Sequence, residues 1–355
     1  MTWGKDLDVP EVFGFLHNQV TPFSIRSSSG QSLYAWHILP TGLYQKHEQG
    51  LLAEAPGHVA DIITRLGFKL LRDDPEARLV IHFHGAAGTV GSGYRCPNYR
   101  ALTAAEPNKL HVLTFDYRGF GRSPGWPTEQ GLIADALSVV QWARKVAGVP
   151  PERIVIYSQS LGTAVNAAVM DHYAQQHPPV LFKGHILTAP FVDVPTLVST
   201  YSVAGTIPIL GPLTAFPALF DHLTSFIKDT WFTKDRLASY VCTNEAYGNA
   251  YRITLLHGED DYDIPWTHTP ILFWHAANAT HKDILGFQDL AKVKDQSRVD
   301  LGAAGSVVEW KTGKGVVREE ILKFGLHDVI MGNPVVTLAV MRMFGGDSGL
   351  VAQAV

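Results

Sequence analysis

The chain has 355 residues, 46% hydrophobic and 17% charged, with a formal net charge of −4. That length buries about three quarters of the surface an unfolded chain exposes, enough for one large domain plus an insertion. The slightly acidic balance, with no Lys/Arg-rich run, supplies no field for a phosphate backbone and excludes nucleic acid as a partner.

At the amino terminus, residues 1–8 carry acids and no continuous apolar core, so they do not read as a secretory signal, and a soluble cytoplasmic or intracellular protein is expected. Residues 20–40 read as a strand pair around a turn at 27–30, with alternation at Leu33, Ala35 and Ile38. A polar, mildly helical insertion follows at about 41–74. The run Arg78-Leu79-Val80-Ile81-His82-Phe83 is a strand that enters the glycine-rich loop His84-Gly85-Ala86-Ala87-Gly88. Such a loop can aim a backbone N–H, that of Ala86, at a developing negative charge. Just beyond it stands Arg95, whose planar guanidinium suits a phosphate or carboxylate head group; a solvated surface arginine is the plain alternative. Cys96 and Cys242 stand in no metal-like spacing, so a free buried thiol is expected, with a disulfide as the alternative.

A helical pattern at 99–105 leads to a strand at 110–115 and the block Asp116-Tyr117-Arg118-Gly119-Phe120-Gly121-Arg122, read as a structural knot of ion pairs and hydrogen bonds. A second helix at 130–146 precedes the most informative stretch, Ile154-Val155-Ile156-Tyr157-Ser158-Gln159-Ser160-Leu161-Gly162, which continues as an alanine-rich helix at 161–176. A strand that turns sharply into a helix strains its turn residue, so small residues are needed two positions to either side. Ser158 and Gly162 meet that need, which makes Ser160 the candidate nucleophile and the N–H of Leu161 a second oxyanion donor. After a strand at 182–189 and another starting near 253 come Glu259, Asp260, Asp261 and Asp263, any of the three aspartates being placed to orient a base. His327 follows a last strand at 316–323. His82, His84 and His257 are read as structural, because none lies in that late loop. Strands alternating with helices imply an α/β fold with a mostly parallel, doubly wound sheet.

Over residues 22–344 this ordered set resembles the α/β-hydrolase superfamily of serine hydrolases. Residues 30–40, 84–91, 116–121, 160–163 and 259–261 look like the branch of monoacylglycerol and lysophosphatidylserine lipases and their fungal and plant relatives. The branch usually has Gly-His where this chain has Ser158-Gln159, and Asn where it has Ala86. The resemblance implies one domain over 1–355, Ser160, Asp261 and His327 as a catalytic triad, and a substrate-selecting cap at about 191–250. Residues 194–220 contain no charge, but Pro195, Pro208, Pro212 and Pro217 would break a spanning helix, so a cap with peripheral membrane contact fits better. Residues 281–314 read as an extended surface excursion with a hairpin turn at 312–315. No dinucleotide fingerprint or P-loop occurs, and neither cofactor nor metal is expected. The leading expectation is a serine esterase acting on lipid-like esters through an acyl-serine. The alternatives are hydrolysis of a compact ester, lactone, amide or peptide, and a non-catalytic binding scaffold.

Overall fold

The computed structural model describes residues 2, 4–200, 202–203, 207–208, 222, 224–280 and 286–345. The polypeptide divides into two compact units: residues 1–158, 182–184 and 331–346 form the first, and 159–181, 185–330 and 347–355 the second.

In the first unit β1 (Val20–Arg26) and β2 (Ser32–Ile38) form an antiparallel hairpin. The strands β3 (Arg78–Phe83), β4 (Leu110–Phe115) and β5 (Ile154–Gln159) are parallel, and the order across the unit is β1-β2-β4-β3-β5. The alternation expected along β2 is not what the structure shows: every residue from Leu33 to Ile38 is buried. Near-continuous apolar runs of this kind belong to strands covered on both faces. The polar insertion at 41–74 forms helices α1 (Thr41–Leu52) and α2 (Leu66–Arg72), held by Leu39, Leu43, Tyr44 and Leu51 in a small separate cluster. Helix α3 (Arg95–Ala105) starts four residues earlier than the periodicity indicates. Helix α4 (Glu129–Lys145) is capped by the Thr128 hydroxyl, which accepts from the Gly131 N–H at 3.1 Å. Glu129 in its first turn and Arg144 and Lys145 in its last complement the helix dipole.

The second unit opens with α5 (Leu161–Ala174), and β6 (Gly184–Thr188) follows, its first residue counted with the first unit and the rest with the second. It then carries α6 (Val194–Thr200), the two-residue antiparallel pair β7 (Ser202–Val203) and β8 (Ile207–Pro208), and α7 (Thr233–Tyr247). Next come β9 (Tyr251–Gly258), α8 (His268–Asn278), α9 (Phe287–Gln296), β10 (Val299–Asp300), β11 (Gly305–Lys311) and β12 (Gly315–Leu322). Strands β6, β9 and β12 are parallel neighbours, and β11 and β10 add antiparallel edges.

Much of the expected cap, including 204–206 and 209–221, lies outside the described residues. Its expected carboxyl-terminal part is body instead. Leu237, Tyr240 and Val241 of α7 are buried in one cluster with Leu187 of β6 and Leu255 of β9, so a cap has only the residues before Thr233 to draw on. The excursion at 281–314 likewise holds more structure than a loop. Residues 281–285 lie outside the described set; beyond them stand α9 and a β11–β12 hairpin turned at 312–315, where the Thr312 hydroxyl accepts from the Gly315 N–H at 2.7 Å. No helix among the described residues is long and apolar enough to cross a membrane.

One glycine fixes the edge of that hairpin. Gly305 has φ +118°, and a Cβ there would stand 1.9 Å from the Ile321 carbonyl oxygen of β12. Gly305→Ala is therefore expected to lower unfolding free energy by about 3 kcal/mol, combining a disallowed backbone with a backbone clash. Gly302→Ala, also at positive φ but with nothing within 4 Å, should cost about 1 kcal/mol. Urea midpoints of the two variants measure the difference.

Candidate active site

In the second unit the turn between β5 and α5 places Ser160 at φ 54°, ψ −125°. A non-glycine residue holds such angles only where its surroundings over-determine them. Here the Ser160 N–H donates to the Thr188 carbonyl at 3.0 Å, and the Thr163 N–H and hydroxyl both donate to the Ser160 carbonyl, at 2.8 and 2.6 Å. The side chain of Ser160 thus stands at the amino end of a 14-residue helix, where backbone N–H groups favour negative charge.

The preceding residue ties the elbow to the late loop. The Gln159 amide donates to the His327 carbonyl at 3.2 Å and reaches Asp328 Oδ1 at 3.5 Å. His327 Nδ1 stands 2.8 Å from Asp261 Oδ2, which leaves Nε2 as the ring nitrogen open to other work. Sequence reading leaves three aspartates open; the structure separates them. Of the three, Asp261 is the one hydrogen-bonded to the His327 ring. Asp260 turns the other way, its Oδ1 accepting from the N–H groups of Gly325 and Leu326 at 2.8 Å each, and so shapes the backbone that carries His327. Asp263 supplies its own N–H to Asp261 Oδ1 at 2.9 Å, and Ile264 does the same.

His257 is a residue whose part no motif announced. Its Nε2 lies 3.2 Å from Asp261 Oδ2 and 3.0 Å from the Ile264 carbonyl, two acceptors, so Nε2 carries the proton. Its Nδ1, 2.7 Å from Thr269 Oγ1, then accepts from that hydroxyl. Burial raises the Asp261 carboxyl pKa, but hydrogen bonds from His257 and His327 and the charge of His327 outweigh it, holding the group well below the usual carboxylate range. At His327 burial pushes the imidazole down, while the hydrogen bond and charge of Asp261, helped by Asp263 and Asp328, carry it above its ordinary value. Asp261, Asp263 and His327 also place donor atoms within 4.8 Å of one another, a spacing that a hydrogen-bonded acid–imidazole pair explains without a metal.

In the first unit the loop after β3 is wound around Arg95. This side chain is buried, and its guanidinium donates to the carbonyls of Gly85 (3.1 Å), Ala87 (3.0 Å) and Thr89. Arg95 is thus not the solvated surface residue that the sequence allowed: it is buried, and two of its nitrogens donate to three backbone carbonyls. Across a trans peptide C=O and N–H point in opposite directions, so holding the Gly85 carbonyl on Arg95 turns the Ala86 N–H away from it. Ala87 and Gly88, at φ 60° and 80°, complete the bend, and Asp116 Oδ1 takes the Val90 N–H at 2.7 Å. The expected knot around Asp116 resolves into separate contacts. Asp116 accepts from the backbone, Arg118 pairs with Asp135 at 2.5 Å, and Arg122 pairs with Asp6 and Asp8. His82 and His84 are fully buried, and burial first, then the Arg95 charge, holds both well below the ordinary histidine pKa. Cys96 and Cys242 are free; Cys96 is buried and Cys242 exposed.

The serine aminopeptidase S33 family matches residues 74–260, more than half of the chain. The chain belongs to this family. Its relatives include lysophosphatidylserine lipase ABHD12 of Danio rerio, 26% identical over 265 residues that cover 74% of this chain and 59% of that protein. The Bos taurus protein of the same name is 29% identical over 267 residues, covering 74% and 57%. Human protein ABHD12B is 27% identical over 259 residues, covering 72% and 62%. The chain thus spans about three fifths of the length of the curated relatives it matches. Among solved structures, the Pyrococcus furiosus esterase Pf2001 aligns with TM-score 0.53 at 13% identity over 95% of this chain and 92% of its own. An α/β-hydrolase from Vibrio vulnificus aligns with TM-score 0.51 at 13% identity over 78% of each. The fold of this S33-family chain is that of the α/β-hydrolases, and the resemblance to the lysophosphatidylserine lipase branch holds.

The Asp261–His327 pair sets a titration that needs no substrate to observe. Because folding raises the His327 pKa, its contribution to stability is present below the ordinary value of 6.5 and fades as pH rises through the folded value. NMR titration of the His327 ring protons, assigned by their loss in His327→Gln, is expected to give a midpoint above 6.5 in the parent protein. In Asp261→Asn, where burial acts without the opposing carboxylate, the midpoint should fall below the parent's.

Proposed function

We propose that the protein is a serine hydrolase of carboxylic esters that carry an acyl chain, of the lysophospholipid or monoacylglycerol type. The observation that carries this reading is the strained Ser160 at the start of α5, with its neighbour Gln159 bound to the backbone of His327 and His327 bound to Asp261. Names given to relatives, lysophosphatidylserine lipase among them, support the substrate class.

In the proposed mechanism His327 Nε2 takes the Ser160 Oγ proton as Oγ attacks the ester carbonyl carbon. Asp261 keeps Nδ1 protonated and stabilises the imidazolium that forms. The oxyanion of the tetrahedral intermediate is met by the Leu161 N–H at the α5 terminus, a donor already fixed in place before charge develops. The Ala86 N–H, the second donor expected from sequence, belongs to the first unit, where Arg95 sets its direction. Collapse breaks the ester C–O bond, and the imidazolium protonates the leaving alcohol. Water, deprotonated in turn by His327, attacks the acyl-serine and returns the free enzyme with a carboxylic acid.

Ser160→Ala is expected to abolish both ester turnover and labelling by a fluorophosphonate, with Ser158→Ala mild. Label on Ser158, or turnover surviving in Ser160→Ala, overturns the nucleophile. Asp261→Asn should lower kcat by about 10⁴-fold, as the loss of the correct imidazole tautomer does in a well-studied protease, while Asp260→Asn and Asp263→Asn cost far less.

Acyl length tests the substrate class separately. For p-nitrophenyl esters below their micelle threshold, kcat/KM is expected to rise from acetyl toward medium and long chains by a few-fold per contacting methylene, each worth roughly 0.8 kcal/mol on burial. A steady fall from acetyl onward sinks the lipid reading and leaves the serine assignment standing. Since the family's description is that of an aminopeptidase, aminoacyl p-nitroanilides belong in the same series, and faster turnover of these would move the substrate to amides.

A further inference from the structure

Outside the elbow and its acid–imidazole pair, the second unit holds a cavity of about 410 Å³ between α8, α9 and β12. Its walls come from two helix faces at the spacing that brings side chains one turn apart into line. From the α8 side come Trp266, Ile271 and Trp274; from α9 come Phe287, Leu290, Ala291 and Lys294. Trp274 and Phe287 lie side by side, their ring centroids 6.3 Å apart and their planes tilted by 59°. β12 contributes one carboxylate, Glu319.

That carboxylate is out of place unless something uses it. Glu319 is 2% exposed, in the middle of a strand. Its Oε1 is taken by Lys294 Nζ at 2.5 Å, and the ammonium also lies 4.8 Å from the Phe273 ring centroid. Its Oε2 is buried and has no hydrogen-bond partner among the described residues. Buried carboxylate oxygens left without a donor are costly, and native structures keep few of them. Burial also raises the Glu319 pKa, in keeping with an acceptor that is short of donors. At the rim Arg298 stands 3.7 Å from Asp295, so the charged groups lining the cavity, Lys294, Arg298, Asp295 and Glu319, sum to zero.

We propose that this cavity is a second ligand site, for a neutral planar aromatic molecule bearing one hydroxyl or N–H that donates to Glu319 Oε2. The aromatic walls match the ring, and the balanced charge disfavours an ionic ligand on either sign. The buried, unpartnered Oε2 of Glu319 selects for a donor. A cavity of a few hundred Å³ lined by apolar and aromatic groups with one convergent polar atom is the usual make-up of a small-molecule site. The site uses none of Ser160, Asp261 or His327 and does not depend on the hydrolase reading.

Isothermal titration of the full chain with 2-naphthol and with its methyl ether, 2-methoxynaphthalene, tests the proposal. One equivalent of 2-naphthol is expected to bind, and the ether, which has no donor, to bind at least ten-fold more weakly, since a hydrogen bond to a charged group contributes on that scale. Ala291→Phe, which fills the cavity from α9, should weaken 2-naphthol at least ten-fold while leaving ester turnover unchanged. Equal binding of alcohol and ether, unaltered binding in a folded Ala291→Phe, or no binding at millimolar 2-naphthol each overturns it. The comparison of the two ligands stands on the parent protein alone, so it decides even if the variant does not fold.

Discussion

The Asp261 carboxylate accepts four hydrogen bonds, two from the backbone N–H groups of Asp263 and Ile264 and two from the imidazoles of His257 and His327. The candidate site depends on that constraint. Two backbone donors on Oδ1 fix the plane of the carboxylate against its own turn, and His257 on Oδ2 leaves one direction for His327 to occupy. With every strong acceptor position filled by a donor, the group stays ionised despite burial, and the ionised form is what raises the imidazole pKa. An acid held by His327 alone would face the full desolvation penalty with one compensating bond.

The two units reach fixed backbone geometry by different means. Around Ser160 the strain is held by the helix that follows and by the Thr188 carbonyl. Around Ala86 it is held by a side chain: one buried guanidinium gathers the carbonyls of Gly85, Ala87 and Thr89. A planar fork with several donors can satisfy acceptors on successive residues at once, which an ammonium on a flexible stem does less well.

How much of this was readable from the chain follows from the range of each interaction. The elbow is a local pattern, an apolar run, two small residues and a helix former, and so Ser160 stood out. The order of strands and helices was legible for the same reason. Asp260, Asp261 and Asp263 were not separable, because the direction a side chain leaves a tight turn is decided by partners 65 or 66 positions away, at Gly325, Leu326 and His327. Arg95 misled because its acceptors are carbonyls, which every residue has and no sequence pattern marks. The expected cap, drawn over about 191–250 from the resemblance, took in helix α7, which packs with Leu187 and Leu255 of the strands. The cavity beside Glu319 was invisible, being made by two helix faces and a strand that meet only in three dimensions.

Gln159 stands where the related branch usually has histidine, and it fastens the backbone of the late loop through a carboxamide. A carboxamide does not gain or lose a proton anywhere in the range that proteins survive. The strap across His327 therefore keeps the same charge and the same donors whether the imidazole beside it is neutral or cationic. An imidazole in its place would be a second titrating group coupled to the first. In this chain the acid–base behaviour of the late loop is carried by one ring, and the mechanical hold on that ring is decoupled from pH.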